Sequence, residues 1–190
     1  MDKTSIDPMA LEIEQKYRVS RTRIADIERR LKSAGANKEG RDFEENTIYG
    51  GGTLDQQPAI LRIRVTDNKA IFTFKRRIED VSDIKRQIEI ESEFSDPTAL
   101  KEILKLLGFI PRLIYEKRRE TWTLGHVEVV LDELPFGLFM EIEGEPEAIR
   151  RAEILLKILD LETVHETYPQ MTVQFGRNKE SVIEARFDQT

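Results

Sequence analysis

Strand after strand in this chain alternates charge with hydrocarbon, and that alternation limits the fold more than any other feature. In the opening L-E-I-E-Q-K-Y-R, a period of two puts Glu12, Glu14 and Lys16 on one face and Leu11, Ile13 and Tyr17 on the other. Leu61-Arg62-Ile63-Arg64-Val65 sets two arginines opposite three apolar residues, and Phe72 and Phe74 lie opposite Lys75. Lys117 and Arg119 share a face, and Val127, Val129 and Leu131 oppose Glu128 and Asp132. Collected over the strands, the charged side holds Lys16, Arg18, Arg62, Arg64, Lys75, Arg77, Lys85, Lys117 and Arg119. Against them stand Glu12, Glu14, Glu89, Glu91, Glu93, Glu128, Asp132, Glu141 and Glu143, so the signs balance.

An antiparallel sheet with one solvated face would show such alternation in any single strand, with exposed pairs each worth about 0–1 kcal/mol. The purity of the face across the whole set, with helices available to cover the apolar side, points to a sheet that curls and turns its charges inward. A charged interior is costly unless something polar and multiply charged occupies it. Arginine forks and lysine point charges suit phosphate oxygens, and clustered carboxylates suit a hard cation such as Mg²⁺ or Mn²⁺. Together they describe a site for a metal-bound polyphosphate.

Three amphipathic helices supply the cover. One is expected from about Thr22 to Ala34, with Ile24, Ile27 and Leu31 inward and Gly35 as its stop. A second starts at Asp96-Pro97, presents Leu100, Ile103, Leu104 and Leu107, and stops at Gly108. A third follows Glu145-Pro146, with Ile149, Ala152, Leu156 and Leu159 inward. The tripeptide E-I-E occurs at Glu12, Glu89 and Glu141, each time shortly before one of these helices, which reads as one strand-then-helix unit used repeatedly within a single domain.

The 190 residues suit one domain, and a hydrophobic fraction of 39% against 35% charged supports a globular fold rather than a disordered polyampholyte. With 36 acidic against 30 basic residues the net charge is −6, which argues against nucleic acid and anionic membranes as partners. The run Lys75-Arg76-Arg77 is too short to reverse that, since alternation sends Arg76 outward. Cysteine is absent, excluding disulfides and thiolate chemistry and fitting a cytoplasmic protein; no apolar run spans a bilayer. Gly50-Gly51-Gly52 lacks the Gly-Lys-Ser/Thr of a phosphate loop and reads as a connector. His126 and His165 stand alone, and Trp122 reads as core.

In their order, these charged motifs resemble the CYTH superfamily, the triphosphate tunnel metalloenzymes, over about residues 10 to 170. E-x-E-x-K is matched by Glu12, Glu14 and Lys16, R-x-R by Arg62 and Arg64, and a strand lysine by Lys75. Glu89 and Glu91, then Lys117 and Arg119, then Asp132, and a final Glu141 and Glu143 complete seven motifs in sequence. The resemblance implies an α+β fold: an antiparallel, about eight-stranded β tunnel with helices packed outside and the substrate in its lumen. The chain then divides into an extension (1–9), the tunnel domain (10–175) and a polar tail (176–190), whose own mixed sequence is expected to form a short helix over 180–187 closing one end.

By the same resemblance Glu12, Glu14, Asp132, Glu141 and Glu143 bind Mg²⁺ or Mn²⁺, and Lys16, Arg62, Arg64, Lys75, Lys117 and Arg119 hold a small-molecule triphosphate. Lys16, Lys75 and Arg119 serve as catalytic cations for charge moving onto the leaving group, and Glu89 and Glu91 are ligands or partners that orient the cations. The implied activity is hydrolysis of an inorganic or organic triphosphate. Class IV adenylyl cyclase activity is the alternative, and a non-catalytic polyphosphate-binding module is a third reading. The His-Phe pair that some class IV cyclases carry before the opening motif is missing from M-D-K-T-S-I-D-P-M-A. Arg177, Lys179 and Arg186 are candidates for a C-terminal contact at the tunnel mouth, the loops near 42–58 and 80–86 would shape that mouth, and a homodimer is compatible with the analogy.

Overall fold

The computed structural model describes residues 13–66, 69–78 and 86–188. Glu12, Lys85 and the extension 1–9 lie outside the described residues. The strands are β1 (Glu14–Val19), β2 (Asn37–Gly50), β3 (Ala59–Val65), β4 (Ala70–Ile78), β5 (Arg86–Phe94), β6 (Ile110–Leu124), β7 (Val127–Leu134), β8 (Gly137–Gly144), β9 (Arg177–Lys179) and β10 (Val182–Ala185). The helices are α1 (Arg21–Ser33), α2 (Pro97–Leu106), α3 (Pro146–Leu156) and α4 (Tyr168–Phe175). Eight strands run in the antiparallel order β1-β8-β7-β6-β2-β3-β4-β5. All eight turn side chains toward one cavity, although among the described residues the two end strands β1 and β5 are not paired. The expected antiparallel tunnel is therefore a curled sheet left open along one seam.

Each E-I-E strand does lead into a helix: β1 into α1, β5 into α2 and β8 into α3. Ser20 caps α1 by accepting the Arg23 N–H at 3.2 Å, and Gly35, at φ 76°, lets the chain leave it in the left-handed region. Asp96 caps α2 by accepting the Ala99 N–H at 2.9 Å, with Pro97 in the first turn where no amide is needed. The third helix ends earlier than its apolar pattern suggests. Lys157 takes φ 54°, which breaks the helical phase, so Ile158 is buried and Leu159 is exposed.

Helices α1 and α3 cover the outer face of β1, β7 and β8. Ile27, Leu31, Ile149, Ala152 and Leu156 pack there with Trp122, Val129, Met140 and Ile142, which establishes Trp122 as core. The Tyr17 hydroxyl donates to Glu153 and ties α3 to β1. By contrast α2 buries only Leu104, leaving Ile103, Leu106 and Leu107 exposed. No helix among the described residues is long and apolar enough to cross a membrane.

Two segments depart from expectation. Residues 42–50, read as part of a mouth loop, belong to the long strand β2, which pairs with both β3 and β6. Its Asp, Glu and Asn content gives it weak intrinsic strand preference, and two neighbours override that. The tail contains no helix over 180–187: β9 and β10 form a hairpin whose second strand runs parallel to residues 113–115 of β6. β6 is long enough to share that edge, pairing with β7 through 118–124 and with β10 through 113–115.

A fourth helix, α4, was not expected from the sequence. Residues 162–164 follow the free edge of β1, with Arg18 N–H donating to the Glu162 carbonyl at 3.0 Å and Val164 N–H to that of Lys16 at 2.9 Å. Thr167 and Gln170 then form a reciprocal capping box, and α4 crosses to β6 and β10. Thr167, Tyr168 and Pro169 lie against the cavity, while Tyr168 and Met171 pack with Ile48, Tyr115, Phe139 and Ala185 beneath it. Replacing the fully buried Leu31 by alanine is expected to destabilise the fold by about 2–5 kcal/mol in urea unfolding. Leu106→Ala, at an 85% exposed position, should stay within about 0.5 kcal/mol.

Candidate active site

The period of two that marked the strands places their charged residues in a cavity of about 320 Å³. Lys16, Arg62, Arg64, Lys75, Lys117 and Arg119 line it together with Glu14, Glu89, Glu91, Glu128, Glu141 and Glu143. This is not a solvated sheet face: Lys117 is 4% exposed, Lys16 6% and Glu141 8%. Arg18 and Glu93 leave the group at strand ends, where they meet Glu162 and Lys69. Arg77 is described only by its backbone.

Deepest lies Asp132, wholly buried. Arg119 grips it with two parallel bonds, Nε at 2.8 Å and Nη2 at 2.6 Å, and the Tyr168 hydroxyl donates to it at 2.8 Å. Arg119 Nη2 also reaches Glu141 at 2.6 Å, and Glu141 pairs with Lys16 at 3.2 Å. Lys16 further donates to the Glu166 carbonyl at 3.1 Å. Lys117 lies 3.2 Å from Glu44 and 3.7 Å from Asp132. On the other wall Arg62 donates to Thr73 and Glu91, both at 3.3 Å, Thr73 donates to Glu91 at 2.7 Å, and Lys75 meets Glu89 at 2.6 Å. The Nε groups of Arg62 and Arg64 are buried without a hydrogen-bond partner.

Burial alone would raise the Asp132 carboxyl, but Arg119 and Lys117 outweigh it and hold the pKa at about 2. Glu44 follows the same pattern: against burial, Lys117, Arg119 and Arg64 bring it down to about 2. Lys117 is lowered by burial and by Arg119. Glu14 is raised, first by burial and then by the negative charge of Glu141.

Glu14, Glu141 and Glu143 stand on adjoining strands, with Glu14 opposite Glu143 across β1 and β8 and Glu128 opposite Glu143 across β7 and β8. All are carboxylates, the donor type that Mg²⁺ and Mn²⁺ prefer, and Glu14, raised first by burial and then by Glu141, would gain from a cation beside it. The donor chemistry fits a hard divalent ion. Among the described residues, however, no three acidic or histidine side chains converge into a coordination sphere, because Glu141 is taken up by Lys16 and Arg119 and Asp132 by Arg119 and Tyr168. Asp132, expected to help bind metal, sits behind Arg119 with each oxygen already bonded.

Four lining or supporting residues were missed. Glu44 accepts from Asn46 at 3.2 Å and faces Lys117 and Arg64, a position the alternation of β2 would have given had that segment been read as a strand. Thr73 alternates with Phe72 and Phe74 and is legible by the same rule. Glu128 was on the charged face but assigned no role. Tyr168 carries no sequence signal, since only the crossing of α4 brings it inward. None of Arg177, Lys179 and Arg186 lines the cavity; Arg186 lies on the outer side and pairs with Glu45, Glu116 and Glu184.

The profile of the CYTH domain family matches residues 10–168, and the chain belongs to that family. A protein of Methanocaldococcus jannaschii named "Putative adenylate cyclase MJ0240" is 28% identical over 131 residues, covering 67% of this chain and 74% of its own. The solved PH1012 protein of Pyrococcus horikoshii superposes with a TM-score of 0.65 at 29% identity, over 80% of this chain and 94% of its own. A Hippeastrum protein, described as a "putative adenylyl cyclase" with a dominant triphosphatase activity, shares the fold at TM-score 0.61 and 18% identity, over 85% and 93% of the two chains.

The depressed Glu44 pKa carries a stability consequence. A carboxyl held at about 2 against an ordinary 4.5 stabilises the fold fully above pH 4.5, and that contribution is lost as pH falls toward 2. It amounts to something on the order of 3 kcal/mol. Urea unfolding should therefore show stability falling with acid, and Glu44→Gln should both lower stability at neutral pH and flatten that slope.

Proposed function

We propose that this chain is a divalent-metal-dependent triphosphatase that hydrolyses an inorganic or organic triphosphate in the charged cavity. The observation that carries the reading is the convergence of six cations on one small chamber, two of them arginines with a buried, unsatisfied Nε. A volume of about 320 Å³ falls within the range of ligand pockets and accommodates a triphosphate group.

Arg62 and Arg64 supply the guanidinium forks, and Lys16, Lys75, Lys117 and Arg119 the remaining positive charge, that bind the phosphate oxygens. Carboxylates face these cations across the cavity, Glu141 at Lys16, Glu91 at Arg62, Glu89 at Lys75, Glu44 at Lys117 and Asp132 at Arg119, and an entering triphosphate would compete with them. Glu14, Glu141 and Glu143 would hold Mg²⁺ or Mn²⁺, with Glu128 beside them. Such an ion would supply Lewis-acid polarisation of the phosphoryl group and a more acidic water. As water attacks the terminal phosphorus, the bridging P–O bond breaks and its electron pair passes to the leaving group. Lys16, Lys75 and Arg119 stabilise that charge.

The second reading, cyclisation of ATP to cyclic AMP and pyrophosphate, is favoured by the name of the M. jannaschii relative. Products separate the two. Incubation with Mg²⁺ or Mn²⁺ and, in turn, inorganic triphosphate, thiamine triphosphate and ATP should release orthophosphate without cyclic AMP. Cyclic AMP with stoichiometric pyrophosphate would replace the proposal with the cyclase. Glu141→Ala should abolish turnover with the circular dichroism unchanged. Arg64→Ala should raise KM roughly 10–100-fold, the loss expected when a charge-assisted hydrogen bond is removed.

A further inference from the structure

The buried aromatic that lines the cavity from α4 makes contacts that packing alone does not explain. Tyr168 enters from the first turn of α4, 6% exposed, its ring edge-on to Phe139 at 5.6 Å and tilted against Tyr115 at 6.4 Å. Its ring holds two ammonium groups from strands that do not pair with each other: Lys16 Nζ on β1 is 4.2 Å from the ring centroid, and Lys117 Nζ on β6 is 5.5 Å away. At its rim the hydroxyl donates to Asp132, which holds Arg119.

The other side-chain partners of these lysines are carboxylates: Glu141 for Lys16, Glu44 and Asp132 for Lys117. A carboxylate steadies an ammonium group by cancelling its charge, and so competes with phosphate for it. An aromatic face attracts a cation through its quadrupole, carries no net charge and takes up none of the three N–H donors. Two like charges brought over one ring would otherwise repel, and the negative face offsets part of that cost.

We propose that Tyr168 is a positioning residue for the triphosphate: its ring steadies both Lys16 and Lys117, charge intact, so that the two ammonium groups are presented together to the phosphate oxygens. The inference rests on the reading of the cavity as a triphosphate site. The ring, more than the hydroxyl, performs this role, because Asp132 retains both bonds from Arg119 when the hydroxyl is removed.

Three variants test it. Inorganic triphosphate binding is measured by calorimetry in the presence of EDTA, and KM and kcat are measured with Mn²⁺. Tyr168→Phe, which keeps the ring, should leave the triphosphate Kd within about twofold of wild type. Tyr168→Leu should weaken it at least about tenfold, with the loss appearing in KM rather than kcat. Met171→Ala, in the same packing cluster but away from the lysines, should lower Tm while leaving Kd unchanged. Equal Kd in wild type and Tyr168→Leu overturns the inference, as does Met171→Ala weakening binding as much as Tyr168→Leu, or Tyr168→Phe weakening it equally. A wild type that binds no triphosphate overturns the functional reading beneath it, an outcome distinct from all of these.

Discussion

The bidentate contact between Arg119 and the wholly buried Asp132 is the interaction on which the rest of the site depends. A carboxylate so deep would be intolerable unpaired, and breaking such a pair costs about 3–5 kcal/mol because one charge is left stranded. The pair joins β6 to β7. Through Arg119 it reaches Glu141 on β8, through Glu141 it reaches Lys16 on β1, and through Lys117 it reaches Glu44 on β2. Five strands of the curled sheet are thus held by one chain of alternating charges, with Tyr168 of α4 anchored to the same oxygen that Arg119 grips. The network that closes the cavity floor is also the one that aims its cations.

Balance of sign gives the cavity its physical character. Each inward cation has anionic or polar company from a neighbouring strand, which offsets the cost of burying its charge. Those partners are the ones a polyanion and a hard cation would separate, the cations turning to phosphate and the carboxylates to metal. Arg62 and Arg64 fall short of full satisfaction, each keeping a buried Nε without an acceptor. Glu14 shows the complementary strain on the acidic side, where burial and Glu141 both oppose its ionisation. Stability favours the paired state and binding would exploit its reversibility.

Much of this arrangement was legible in the sequence because a strand's period of two is rigid. Once Arg62, Arg64, Lys117, Arg119, Glu14, Glu89, Glu91, Glu141 and Glu143 fall on one face, a single curl gathers them all. Asp96-Pro97 and Glu145-Pro146 marked two helix starts correctly for a similarly local reason. What escaped was non-local. β2 becomes a strand because β3 and β6 flank it, against the preference of its own Glu, Glu and Asn, and Glu44 was hidden with it. The tail 182–185 is drawn into the sheet by the unclaimed half of the β6 edge. Tyr168 has no pattern of its own and gains its place from the path of α4 between β1 and β10. Asp132 lay on the expected face, but its depth behind Arg119 could be read only in three dimensions.

A crystal structure of the wild-type protein with inorganic triphosphate and Mn²⁺, collected at an energy where manganese scatters anomalously, would test the central claim directly. The account predicts phosphate oxygens on Arg62, Arg64, Lys117 and Arg119, and anomalous density among Glu14, Glu141 and Glu143. Triphosphate bound elsewhere on the surface, or a cavity whose ion pairs remain closed in the presence of both, would contradict it.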